Sequence, residues 1–279
     1  MHRRTFLALP LLLVAGMSLG AERPLRVGMT PAFLHDQLGL LAAWRDYLQQ
    51  TLKRPVEFVQ RDRYRETMDL LQQDKLDFAW VCDYPYVSMG RQVRLLAVPV
   101  NQGEPVYRSF LIVPAKDTHT RSIADLKGAV FAYADPLSNT GYLAPRFEIK
   151  EAGYDPATFF RRTFFTWSHR KAIEAVASGL AQGAAVDSYI WQSLEKVSPK
   201  LTARTRVVKQ SEAFGFPPFV ANRSVSQADF DAMRAALLDM SHDPAGRALL
   251  AKLNLDGFVA GSPDLYQSVA KMVASFGQP

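Results

Sequence analysis

The chain has 279 residues, 48% of them hydrophobic and 22% charged, enough to bury one or two sizeable cores, so two lobes are allowed. Its formal charge is +6; setting aside Arg3 and Arg4 leaves 31 basic against 27 acidic residues with no Lys/Arg-rich block, which argues against a nucleic-acid footprint. A single cysteine, Cys82, excludes an intrachain disulfide.

The first residues have the form of an export leader. His2, Arg3 and Arg4 make a basic start, Phe6 to Val14 an apolar core, and Ser18-Leu19-Gly20 a small-x-small site. Residues 1–21 are therefore expected to be a signal peptide, cleaved near Gly20 or Ala21. Arg3-Arg4-Thr5-Phe6-Leu7 also resembles a twin-arginine signal, whereas the leucine-rich core suits the general route, so the export route stays open. No cysteine stands at the cleavage site to carry a lipid, and no later apolar run reaches the roughly 18 residues that a membrane span needs. The mature protein is expected to be exported and soluble.

From Leu25 onward, strand and helix patterns alternate. Leu25 to Met29 reads as a strand, and Leu41, Trp44, Leu48 and Leu52 mark one face of a helix. Val56 to Val59 is a second strand, the stretch around Met68 and Leu71 a second helix, and Asp77 to Val81 a third strand ending at Cys82, read as a packed thiol. This βαβαβ order predicts parallel strands, right-handed crossovers and a ligand outside the carboxyl ends of the strands. Tyr64, Asp83, Tyr84 and Tyr86 fall near such ends or at helix starts.

A second series begins around Lys127. Ala129 to Ala134 is a strand, Tyr142 to Ala152 a helix, Phe164 to Trp167 a strand, His169 to Leu180 a helix, and Gly183 to Val186 a strand. Two series suggest two α/β lobes with a cleft between them. Residues 22–110 are expected to form the first part of lobe 1, 111–210 lobe 2, and 211–279 the return to lobe 1 with the C-terminal helices. Ser109 to Pro114 and Arg206 to Val220 are the expected crossovers. Helical patterns at Phe230, Met233, Leu237 and Met240, and again at Leu265, Val269, Met272, Val273 and Phe276, are expected to pack on lobe 1.

The chemistry concentrates at two helix starts in the second series. Ser138, Asn139 and Thr140 follow the Asp135-Pro136 turn and open a helix, where free N–H groups and the positive end of the dipole favour an anion. The same residue types are also ordinary capping choices. Ser168 caps the next helix, and His169, Arg170 and Lys171 crowd its first turn with donors and positive charge where the dipole favours acids. A bound oxyanion would resolve that conflict, and the site reading rests on both helix starts together.

On these residues the chain resembles the phosphate, phosphite and phosphonate substrate-binding proteins of ABC transporters. The resemblance runs through Leu25-Arg26-Val27-Gly28, Lys75 to Trp80, Tyr107-Arg108-Ser109 with Leu111-Ile112-Val113, and Asp125 to Gly128. It continues through Asp135-Pro136 to Pro145, Ser168-His169, and Ala185 to Ser188. It implies a two-lobed periplasmic-binding-protein fold of type 2, a ligand cleft between the lobes, a periplasmic location, no cofactor, no catalysis, and a membrane permease as partner. It also implies that Tyr64, Tyr107, Ser138, Asn139, Thr140 and His169 contact a small phosphorus oxyanion, with Asp187 as the acidic position opposite. An ionised Asp187 only accepts hydrogen bonds, so it calls for a protonated ligand oxygen or an ammonium group; the alternative is that it caps the helix beginning at Ser188.

Three departures bear on the ligand. Asn139 stands where many relatives have threonine; Cys82-Asp83 replaces a Gly-Pro pair and adds a carboxylate that would repel an anion; and Pro217 stands where aminophosphonate-binding relatives can carry an aspartate. These favour a ligand without an amine, such as phosphite, methylphosphonate or phosphate. An apolar wall from Trp167 or Phe110 would favour a P–H or P–C ligand by leaving a phosphate oxygen unpaired. The same fold presented to a membrane-bound signalling protein would be a sensor instead. For a secreted enzyme, no His-Glu-x-x-His or Gly-x-Ser-x-Gly motif appears, and five histidines are scattered without ligand spacing.

Overall fold

The computed structural model describes residues 23–31 and 38–276; the expected leader lies outside them. In chain order the first elements are β1 (Leu25–Met29), α1 (Leu38–Leu52), β2 (Val56–Gln60), α2 (Tyr64–Gln72), β3 (Phe78–Trp80), α3 (Asp83–Met89), β4 (Val93–Val100) and β5 (Val106–Tyr107). Next come β6 (Ser109–Pro114), β7 (Val130–Tyr133), α4 (Ala144–Glu151), β8 (Arg162–Phe165), α5 (His169–Ser178), β9 (Gly183–Asp187), α6 (Ser188–Val197), α7 (Pro199–Thr202) and β10 (Thr205–Gln210). The chain ends with β11 (Phe214–Gly215), β12 (Phe219–Asn222), α8 (Gln227–Leu238), α9 (Pro244–Leu253), β13 (Gly257–Val259) and α10 (Gln267–Phe276).

Two sheets result. The first has the order β13-β4-β12-β3-β1-β2 and the second β10-β6-β9-β7-β8. The strands of each βαβ series are parallel as expected: β1 with β2 and β3, and β7 with β8 and β9. Both sheets are nevertheless mixed, because β12 runs antiparallel to β3 and β4, and β6 antiparallel to β9 and β10. The segments expected as crossovers are themselves built into the sheets. Ser109–Pro114 is β6, and the stretch from Arg206 to Val220 holds most of β10, all of β11 and the start of β12. The continuous apolar run Phe110, Leu111, Ile112 and Val113 is buried on both faces, as an internal strand requires. The chain passes between the sheets at a narrower place, where β5 pairs antiparallel with β11.

Each sheet carries its own aromatic core. Trp44 from α1 meets Trp80 edge-on at 5.9 Å and Phe219 at 5.7 Å, while the buried Trp80 indole donates to the Pro217 carbonyl at 2.8 Å. Across the second sheet Phe131 stacks on Phe160 at 4.2 Å, beside buried Tyr133, Ile149 and Phe159. Helix α8 packs on β4 and β13 of the first sheet. Helix α10 touches α3 and also α4, where Arg146 and Lys150 cover the Phe276 ring at 4.7 and 5.1 Å. No helix of the described residues is long and apolar enough to cross a membrane.

Candidate functional site

The turn after β7 is shaped by Asp135. Its carboxylate accepts from the Leu137 N–H at 2.8 Å and, from across the interface between the sheets, from the Tyr64 N–H at 3.3 Å. The chain then makes one π-helical turn, Asn139–Leu143, before α4 begins. A π turn widens the helix start and is frequent where backbone is shaped around a site. Ser138 caps it: its Oγ accepts from the Gly141 N–H at 3.0 Å. Ser109 on β6 ties the turn down by donating to the Thr140 carbonyl at 2.7 Å.

His169, the first residue of α5, reaches this turn. The Asp187 N–H donates to its Nδ1 at 3.1 Å, so the neutral ring carries its proton on Nε2, which lies 3.2 Å from Ser138 Oγ. Burial pushes the imidazole down to about 3, which keeps it neutral. Ser138 Oγ thereby accepts from Gly141 and from His169, and its own hydroxyl proton is left as a donor. Asp187 ends β9 and caps α6, its Oδ1 accepting from the Tyr189 and Ile190 N–H groups at 2.8 and 3.3 Å. Burial raises its carboxyl to about 8 against the pull of those bonds, and the charge of Asp83 adds to the rise.

Opposite this turn, from the first sheet, stands Asp83 at the start of α3. Its Oδ1 accepts from the Tyr107 hydroxyl at 2.7 Å, the Tyr84 N–H at 2.9 Å and the Cys82 thiol at 3.1 Å, while Oδ2 accepts from Asn139 Nδ2 at 2.7 Å. The Asp83–Asn139 bond thus joins the two sheets through the middle of the site. Burial raises Asp83 to about 6, opposed by its hydrogen bonds from Tyr107, Cys82 and Asn139. Asp83, Ser138, Asn139 and Thr140 are fully buried, and His169 and Asp187 are 1% and 2% exposed. Among the described residues the Tyr64 hydroxyl, Asn139 Oδ1 and Thr140 Oγ1 are buried without a hydrogen-bond partner. Buried polar atoms are mostly paired; Trp44 Nε1, Thr67 Oγ1 and the Tyr133 hydroxyl are also without a partner elsewhere, but the Tyr64, Asn139 and Thr140 atoms stand together between the sheets.

The structure brings Tyr64, Tyr107, Ser138, Asn139, Thr140, His169 and Asp187 together between the sheets. Arg170 and Lys171 do not join them: Arg170 pairs with Glu174 at 3.1 Å and Lys171 is exposed. The charge conflict at the start of α5 is therefore met without an anion, by a neutral His169 and an i,i+4 ion pair. Phe110 turns away to meet Trp191 edge-on at 6.0 Å. Trp167 stands next to the site with φ +63°, a conformation uncommon for any residue but glycine, and the Arg63 guanidinium lies 4.4 Å over its ring. Arg63 precedes α2 and Trp167 precedes α5, so this contact also spans the sheets. Two bridging roles escaped the sequence reading, those of Asp83 and Asp135. The signal for Asp83 was a carboxylate directly after the buried run Phe78-Ala79-Trp80-Val81-Cys82, at the carboxyl end of a strand. Among the described residues no group of His, Cys, Asp and Glu is arranged to hold a metal ion.

A family model described as ABC transporter, phosphonate, periplasmic substrate-binding protein matches residues 27–266. The Phosphonates-binding periplasmic protein of Escherichia coli (strain K12) is 24% identical over 266 residues, covering 91% of this chain and 77% of that protein. A binding protein component of an ABC phosphonate transporter from Pseudomonas aeruginosa superposes with a TM-score of 0.81 at 22% identity, over 90% of this chain and 86% of that one. The PhnD1 protein of Prochlorococcus marinus (MIT 9301), solved with methylphosphonate, also gives 0.81, at 18% identity over 90% and 97% of the two chains.

Proposed function

Since the chain belongs to the periplasmic substrate-binding proteins of ABC phosphonate transporters, we propose that its ligand is a small phosphorus oxyanion held between the two sheets at the Ser138 turn. Its fold is the two-lobed type 2 periplasmic-binding-protein fold that the solved relatives share. The observation that carries the ligand reading is the group of buried, unpaired polar atoms on Tyr64, Asn139 and Thr140, beside the free hydroxyl proton of Ser138. Tyr64, Thr140 and Ser138 supply donors to phosphorus-bound oxygens. His169 orients Ser138, and Asp83 from the first sheet holds Tyr107 and, across the cleft, Asn139. The ligand is expected to be delivered to a membrane permease by the closed form, the lobes moving about the paired β5 and β11.

Thermal unfolding of ligand-stripped protein with phosphite, methylphosphonate, 2-aminoethylphosphonate, phosphate and sulfate tests the reading, because a ligand that binds only the folded state raises its stability. At least one phosphorus oxyanion should raise the unfolding temperature while sulfate does not. No rise with any of the phosphorus compounds would sink it.

A further inference from the structure

Asp83 is a fully buried carboxylate in the middle of a site read as binding anions. Its four donors, from Tyr107, Asn139, Tyr84 and Cys82, are neutral, and among the described residues no Lys or Arg pairs with it. The titratable groups that face it are the Cys82 thiol beside it, Tyr64 from α2, Tyr107 from β5, Asp187 from the end of β9, and Tyr266 just before α10. All of these are neutral or acidic, so nothing in that shell offsets its charge.

Two consequences follow for a ligand. First, Asp83 draws the Tyr107 hydroxyl proton and an Asn139 amide proton to itself, and the Tyr107 oxygen lies 3.5 Å from Asn139 Nδ2, so it is Asn139 Oδ1 that is left as an acceptor. Asn139 Oδ1 is buried and unpaired, and the N–H bonds to Asp187 fall on Oδ1 of that carboxyl. The Asn139 position calls for a ligand O–H, whereas the Asp187 carboxyl, held uncharged by burial, keeps a proton of its own. Second, an ionised Asp83, whose ionisation burial holds back to about 6, repels every unit of negative charge on the ligand in a region that water does not screen. A singly protonated oxyanion provides the O–H and carries one charge; a dianion provides lone pairs opposite lone pairs and carries two.

We propose that Asp83 is a specificity residue of this cleft, admitting the singly charged, protonated form of the oxyanion and excluding dianions. This rests on the oxyanion reading of the site given above. Threonine in place of Asn139 and an uncharged residue in place of Asp83 would leave donors facing the ligand; here Asn139 Oδ1 is left as an acceptor instead.

Calorimetric titration of the protein and of Asp83→Asn with methylphosphonate, sulfate and 2-aminoethylphosphonate, at about pH 5.5 and about pH 8, tests it. Sulfate stays doubly charged throughout, whereas methylphosphonate gives up its proton as the pH rises. The unaltered protein should exclude sulfate at about pH 8, above the value of about 6 to which burial raises Asp83, and lose affinity for methylphosphonate several-fold between the two pH values. Asp83→Asn should gain sulfate binding by about tenfold and show a smaller alkaline loss. Sulfate excluded as firmly by the variant, with methylphosphonate still bound, would overturn the inference and leave the oxyanion reading intact. A selective loss of 2-aminoethylphosphonate with sulfate still excluded would overturn it too, marking Asp83 as an ammonium contact. Should the variant fail to fold, equal methylphosphonate affinity of the unaltered protein at both pH values overturns it alone. An unaltered protein that binds none of the phosphorus compounds removes the oxyanion reading and this inference together.

Discussion

Asp187 and His169 are held in their uncharged forms by the same burial, and they act on stability in opposite directions. Asp187 rises from an ordinary value of 3.8 to about 8, so its contribution is full below the ordinary value and is lost as the pH climbs toward 8. Asp83 has the same sign over a narrower window, ending at about 6. His169 falls from 6.5 to about 3, so its contribution is full above 6.5 and is lost as the pH drops toward 3. An asparagine at position 187 keeps an oxygen for the Tyr189 and Ile190 N–H groups and removes the ionisation. Asp187→Asn should therefore lose less unfolding temperature between about pH 5 and about pH 8 than the unaltered protein does. Equal losses in differential scanning calorimetry would mean that Asp187 ionises freely in the folded state.

At the scale of elements, the π turn depends on a glycine for space. A Cβ on Gly141 would sit 2.5 Å from the Ala134 Cβ, 2.9 Å from His169 Cε1 and 2.9 Å from Ser138 Oγ. Two of these neighbours are the site's own side chains, and Ala134 directly follows β7, where the turn begins. Gly141→Ala should cost about 1–3 kcal/mol of stability by overpacking, and it should weaken oxyanion binding more than that loss of folded population explains, since it pushes apart the Ser138–His169 pair. Binding that is unchanged after correction for the folded fraction would show that the turn tolerates the shift. The neighbouring helix, α5, makes the complementary point: its His169 serves the site, while Arg170 and Lys171 in the same turn serve only its surface.

At the scale of the whole molecule, three contacts join the sheets across the site: Asp83 with Asn139, the Tyr64 N–H with Asp135, and Arg63 with the Trp167 ring. All three exist only when the sheets are close, and the chain links the two bodies at the short β5–β11 pair. Ligand should therefore lower the radius of gyration measured by small-angle X-ray scattering. An exposed cation–π contact is worth ~0.5–1 kcal/mol, so Arg63→Ala should weaken ligand binding by about twofold to fivefold through loss of the closed form. Its unliganded unfolding temperature should barely change. An unaltered affinity would place the Arg63–Trp167 contact outside the closing equilibrium.

The sequence by itself determined the elements and the chemical inventory. The βαβ order and the helix starts at Ser138 and His169 are written in local patterns of burial and capping, which depend on near neighbours in the chain, whereas Tyr64, Tyr107 and Asp187 were marked as site residues by the family resemblance. The six-residue run Ser109–Pro114 marks the limit of that logic: its apolar character announced a buried segment but not its antiparallel partners, because pairing is decided by strands 70 or more residues away. The same limit applied to charge. Which of His169, Arg170 and Lys171 would face the site, and whether Asp83 would look into it or into solvent, depended on how two separately built sheets come together. Only the tertiary structure decided that, since burial and the dielectric around a charge are properties of the surrounding packing and not of the residue that carries it.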